Sequence, residues 1–152
     1  MAKIIFLDVD GVLNCKKTWS GPHKDGMATL CPDMCDRLGD IVKQTKAIVV
    51  LSSSWRLMKD SNQYRKLVSW LAKRDISIHS HTKWLSSKDR GHEIAAWLED
   101  HEHEFPRKEV TFVILDDDSD MLYWQRSSFV HTSFKDGLTE RHAAKAIRIL
   151  NE

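Results

Sequence analysis

FLDVDGVLN, residues Phe6–Asn14, ends an apolar run that starts at Ile4 with two carboxylates one residue apart and a glycine directly after them. Aspartate is seldom buried without a partner, so a DxD at the end of a strand-length apolar run calls for something to neutralise it. Two other apolar runs end the same way. Ala47–Leu51 runs into Ser52, Ser53 and Ser54, and Val110–Leu115 runs into Asp116, Asp117, Asp118 and Asp120.

Between these runs the pattern changes to helical period, as expected for a parallel sheet covered by helices. The first strand is expected at Lys3–Leu7. Pro32 suits a first helical turn, and Met34, Leu38, Ile41 and Val42 form one apolar stripe after it. A second helix is expected after Ser61 or Asn62, either of which can cap it, with Tyr64, Leu67, Val68 and Leu71 inward. Ile76 and Ile78 alternate with polar residues in a short edge strand. A helix from about Gly91 carries Ile94, Trp97 and Leu98, a weak strand falls at Ser128–Val130, and a helix at Thr139–Leu150 packs through Ala143, Ala146, Ile147 and Leu150. The expected architecture is α/β: a three-layer, Rossmann-like domain with a central, mostly parallel sheet, spanning residues 1–152 as one unit.

A net charge of +1 with 30% charged residues gives no global field toward a polyanion or a membrane. No apolar run reaches the roughly 18 residues of a membrane span, and Ile4–Leu7 meets Asp8 too early for a signal-peptide core. The expectation is a cytoplasmic protein. The three cysteines are odd in number and expected to be reduced; Cys31 and Cys35 share a helix face, as half a metal site or as small packing groups.

In an open parallel sheet the carboxyl ends of the strands lie along one edge, and ligands bind there at the point where strand order reverses. The three polar clusters should therefore meet. Their carboxylates would repel one another without a cation, and oxygen-only donors suit a hard divalent ion, most simply Mg²⁺. The alternative for Asp116–Asp120 alone is an acidic loop capping the next helix.

Taken in order, DVDGVL (Asp8–Leu13), VVLSSSWR (Val49–Arg56), SSKDRGHEI (Ser86–Ile94) and VILDDDSD (Val113–Asp120) resemble the four motifs of the haloacid dehalogenase-like (HAD) hydrolase superfamily. LSSSWR, RGHEIAAWL, ILDDDSDM and the terminal GLTERHAAKAIRIL are closer still to small, nearly capless members: the domains of Swiss-army-knife RNA repair proteins and, more distantly, the phosphatase half of polynucleotide kinase/phosphatases.

The resemblance implies a phosphatase in which Asp8 is the nucleophile and Asp10 the acid and then the base. It implies Mg²⁺ on Asp8, the backbone carbonyl of Asp10, and one or both of Asp116 and Asp117. Ser52 or Ser53 would bind a phosphoryl oxygen, and Lys88 or Arg90 would supply the fixed positive charge. Gly11, where the chain bends, and Arg56 are expected to line the substrate, with Arg56 binding phosphate or pairing with a carboxylate. Asp118 or Asp120 is an auxiliary ligand or merely solvated.

The stretches between motifs are too short for a separate cap, and an open site admits bulky substrates. A nucleic acid 3′-phosphate end is favoured over free nucleotides or another small metabolite; a HAD-fold binding module without turnover is the reading from another class. Lys16, Lys17, Trp19, His23 and Lys24 offer a gripping loop or a solvated one. Trp70 and Trp97 are expected to be packing, Trp55 part of the pocket floor, and the HxH pairs His79/His81 and His101/His103 surface groups.

Overall fold

The structure, a computed structural model, describes residues 1–19, 30–86 and 89–152, the side chain of residue 19 excepted. Five strands, β1 (Ala2–Leu7), β2 (Ile48–Leu51), β3 (Ile78–His81), β4 (Val110–Asp116) and β5 (Phe129–His131), form one sheet in the order β3-β2-β1-β4-β5. Every neighbouring pair is parallel, so the sheet is wholly rather than mostly parallel. The helices are α1 (Lys16–Trp19), α2 (Pro32–Thr45), α3 (Asn62–Ala72), α4 (Arg90–Asp100) and α5 (Glu140–Asn151).

Right-handed crossovers explain the layers. From β1 to β3 the chain steps one way across the sheet, which puts α2 and α3 on one face. It then returns past β1 to β4, so α4 lies on the other. The strand period sorts the core to match. Ile5, Leu7, Val49, Leu51, Val113 and Leu115 pack with Leu38 and Ile41 of α2, Leu67 and Leu71 of α3, and Ala146 and Leu150 of α5. Ile4, Phe6, Val50, Phe112 and Ile114 pack with Ile94, Trp97 and Leu98 of α4. Phe6 meets Trp97 and Phe112 edge-on, with centroids 5.4 and 5.8 Å away. Each such pair contributes about 0.5–1.5 kcal/mol beyond its buried area.

Local signals set the helix ends. Ser61, rather than Asn62, caps α3, its Oγ accepting from the Tyr64 N–H at 3.1 Å. Pro32 opens α2, which ends where Lys46 turns left-handed at φ 61°. Cys35 is fully buried and its thiol is pushed up to about 12 by burial, so it stays protonated and packs as a small apolar group.

One turn of helix, α1, stands where a loop was expected; Thr18 Oγ1 accepts from the Cys15 N–H and donates to the Cys15 carbonyl, each at 2.9 Å. His23 and Lys24 lie outside the described residues. The four longer helices all contribute to the two cores, leaving none of them over the carboxyl edge as a cap. No described helix is long and apolar enough to cross a membrane.

Candidate active site

The reversal of strand order falls between β1 and β4, and there the main-chain ladder carries the polar clusters together. Asp8 N–H donates to the Leu115 carbonyl at 3.0 Å and Ser52 N–H to the Leu7 carbonyl at 2.8 Å, extending the pairing one residue beyond the strands. Asp8 (8% exposed) and Asp116 (2%) are buried, and Asp117 is half-buried. Each of the three turns a carboxylate oxygen to within 4.8 Å of the others.

Three acids this close and this dry disfavour their own ionisation. Burial first, then the Asp116 carboxylate, holds Asp8 well above the usual carboxylate range against the pull of Arg90. Burial pushes Asp116 up to about 7, and burial with the Asp118 charge raises Asp117. Among the described residues Arg90 is the cation paired with Asp8, its Nη1 lying 3.8 Å from Asp8 Oδ1. One guanidinium at that distance does not balance three carboxylates. An all-oxygen donor set of this charge fits a hard divalent cation such as Mg²⁺.

The chain after Asp8 turns sharply. Gly11 sits at φ +81°, and a Cβ there would run into the Asp117 carboxylate. Thr132 Oγ1 fixes the bend by donating to the Gly11 carbonyl at 2.7 Å. Beyond the bend the Asp10 charge still reaches Asp117, and two donors hold its carboxylate: Asn14 Nδ2 at 3.0 Å on Oδ1 and Trp55 Nε1 at 3.1 Å on Oδ2. Trp55 is 1% exposed, so a fully buried ring orients the candidate acid/base group.

The serines divide their work. Ser52 Oγ lies 3.4 Å from Arg90 Nη1, on the site, whereas Ser53 Oγ caps the following 3₁₀ turn by accepting from the Trp55 N–H at 3.2 Å. Arg56 turns inward. Its Nη2 donates to Glu93 Oε2 at 2.9 Å and its Nη1 to the Ser53 carbonyl at 2.6 Å. Glu93 also accepts from the Leu85 N–H at 2.8 Å, and its other oxygen lies 3.5 Å from Arg90 Nε. A charge chain, buried except at Arg90, thus runs Arg56–Glu93–Arg90–Asp8. Lys88, the other candidate for the basic role, lies outside the described residues.

Asp120 serves the start of α4. Its Oδ2 accepts the Arg90 N–H at 3.0 Å and its carbonyl the Gly91 N–H at 3.2 Å, so it caps the helix that presents Arg90. Asp118 is exposed and donates its N–H to Asp116 Oδ1 at 2.9 Å.

Asn14, Thr132 and Glu93 escaped the sequence reading. Glu93 had a legible signal, being three residues beyond Arg90 on one helix face; Asn14 and Thr132 had none, because their partners depend on the bend. Two of the four histidines depart from the surface expectation. Tyr64 OH and His81 Nε2 share a hydrogen bond of 2.6 Å, and His101 stacks on Trp97 at 3.9 Å.

A family model described as the HAD domain in Swiss Army Knife RNA repair proteins matches residues 4–143. No curated protein matches the chain. The matched stretch runs from β1 into the first turn of α5 and takes in the acid triad, Asp10, Ser52 and Arg90; the chain belongs to the family of HAD domains in Swiss Army Knife RNA repair proteins.

Proposed function

We propose that this domain is a Mg²⁺-dependent phosphomonoesterase that works through an aspartyl-phosphate, with a nucleic acid 3′-phosphate end as its substrate. The observation that carries the reading is the convergence of Asp8, Asp116 and Asp117 within 4.8 Å, with Arg90 on Asp8 at 3.8 Å. An anionic phosphoryl group can approach such a carboxylate cluster only if cations offset the repulsion. Mg²⁺ held by Asp8, Asp116, Asp117 and the Asp10 carbonyl would supply that neutralisation.

The chain's own residues do the rest. An Asp8 carboxylate oxygen attacks phosphorus, a new P–O bond forms and the ester P–O bond breaks. Asp10 gives its proton to the departing alkoxide oxygen, then takes one from the water that attacks the aspartyl-phosphate and releases inorganic phosphate. Asn14 and Trp55 keep that carboxylate aimed throughout. Arg90 and Ser52 bind the non-bridging oxygens as their charge grows.

The shape beside Arg90 supports that choice of substrate. The recess beside Arg90, lined by Ser54, Arg56, Leu57, Trp84, Glu93 and Asp120, holds about 210 Å³. Enclosed small-molecule sites run from roughly 300 to 1,000 Å³. Trp84 is 62% exposed on its rim. A shallow recess with an aromatic edge suits a terminal nucleotide of a longer chain better than an engulfed metabolite.

The test is phosphate release from a chromogenic monoester, a 3′-phosphorylated oligonucleotide and a 3′-mononucleotide, with Mg²⁺ and with chelator. Hydrolysis that needs Mg²⁺, disappears in Asp8→Asn and favours the oligonucleotide is the expected result. Activity surviving Asp8→Asn refutes the mechanism, and a preference for the mononucleotide refutes the substrate.

A further inference from the structure

The outer face of α5 carries Arg141, Lys145 and Arg148 at i, i+4 and i+7, all exposed. The fold does not need them. The helix is held by Ala143, Ala146 and Leu150 on its opposite side, and among the described residues none of the three cations has an acidic partner. Lys145 donates only to the Phe129 carbonyl, at 3.1 Å. The three cations line a groove of about 700 Å³ between α5 and the edge strand β5, in which Asp136 is the single acid.

This groove starts at the catalytic edge. Its lining residue Thr132 donates its N–H to the Asp116 carbonyl at 2.9 Å and its hydroxyl to the Gly11 carbonyl, while His131 Nε2 donates to the Asp117 carbonyl at 2.8 Å. On the rim, His131 stacks with Phe129 at 5.1 Å between centroids and is itself exposed, a π face beside a cationic trough. A basic groove with aromatic steps is what binds single strands without regard to sequence.

We propose that this groove is the track for the sugar–phosphate backbone of a single-stranded nucleic acid whose terminal phosphate lies at Asp8; the assignment rests on the phosphatase reading above. From Arg141 to Arg148 the helix rises roughly 10 Å at 1.5 Å per residue. Three cations along that length can neutralise about three phosphates of one strand. Three neutralised phosphates give a salt slope of about −2 for a single strand, so affinity falls about fifteenfold between roughly 50 and 200 mM salt.

The experiment uses the full chain and the Arg141→Gln/Lys145→Gln/Arg148→Gln variant, with Arg141→Gln/Arg148→Gln as a second variant that leaves the Lys145–Phe129 bond intact. Glutamine keeps helix propensity. Anisotropy of a labelled, 3′-phosphorylated 12-mer is titrated across salt in the Asp8→Asn background, where no turnover intervenes. The parent slope should be steeper than the triple variant's by about 2 and steeper than the double variant's by about 1.4. In the active protein the triple variant should lower the ratio of oligonucleotide to chromogenic-ester kcat/KM at least tenfold. Equal slopes in parent and triple variant, or no oligonucleotide binding by the parent, overturns the groove assignment. Failure of the active protein to hydrolyse even the chromogenic ester refutes the phosphatase reading, while the binding titration still decides the groove.

Discussion

Glu93 is the residue through which stability and catalysis should come apart. Its carboxylate and the Arg56 guanidinium are 5% and 4% exposed and 2.9 Å apart, and among the described residues Arg56 Nε has no hydrogen-bond partner of its own. Glu93→Gln removes the charge while leaving Oε as an acceptor for the Leu85 N–H and Arg56 Nη2, so Arg56 becomes a buried cation faced by the neutral Gln and Ser53 carbonyls instead of its carboxylate. Removing one partner of a buried pair costs about 3–5 kcal/mol. At about 2–4 °C per kcal/mol for a chain of this size, Tm should fall by roughly 10 °C. Arg56→Met/Glu93→Leu removes both charges and should recover most of that loss, since apolar replacements of buried pairs are often neutral. Activity should not recover with it, because Arg90 loses its 3.5 Å tether in both variants. A displacement near 1 Å at such a group costs about a hundredfold in rate. Scanning calorimetry and steady-state hydrolysis of a chromogenic monoester read the two quantities. A double variant as active as the parent would show that Glu93 does not position Arg90, and a Glu93→Gln loss below about 1 kcal/mol would show that the pair is not dry.

Stability without metal should fall as pH rises. Asp116 is raised from 3.8 to about 7, so the cost of its charge is absent below about pH 4 and fully present above about pH 7; Asp8 shifts in the same direction. Between pH 5 and pH 7 about two of those three units are crossed, roughly 3 kcal/mol, so Tm in chelator should drop by about 5–10 °C between pH 5 and 8, and Mg²⁺ should restore more at pH 8 than at pH 5. A Mg²⁺ effect independent of pH sinks this. Trp55→Phe keeps the buried ring but removes the donor to Asp10, and kcat should fall about tenfold, as loss of a charge-assisted bond of about 1.5–3 kcal/mol allows, while Tm moves by only a few degrees. Equal kcat in the two proteins would show that Asp10 needs no such hold. Gly11→Ala forces a Cβ against Asp117 at φ +81°, and Mg²⁺ affinity measured by calorimetric titration should weaken more than tenfold, or the close approach is not real.

What the sequence made legible follows the reach of each interaction. The strands and the three-layer architecture were readable because their causes are periodic and local. β1, β2, β4 and β5 came out within a residue or so of the runs that announced them, and the edge position of β3 followed from its polar alternation. The acid triad was readable because parallel strands align their ends whatever the loops do. Which serine faces the site was not readable, since it depends on Ser53 capping a 3₁₀ turn that no period announces. The use of Arg56 was open for the same reason: Glu93 lies on α4, across the return connection to β4, and only the folded chain brings the two together. The local bend at Gly11 shows where the boundary falls. Its glycine was visible, but Asn14, Trp55 and Thr132, which bond to Asp10 and Gly11, come from three different elements. The sheet edge therefore assembles the charged cluster, while long-range side-chain bonds set the direction in which each group points. Substitutions in those supporting residues should change rates and metal affinity far more than they change the fold.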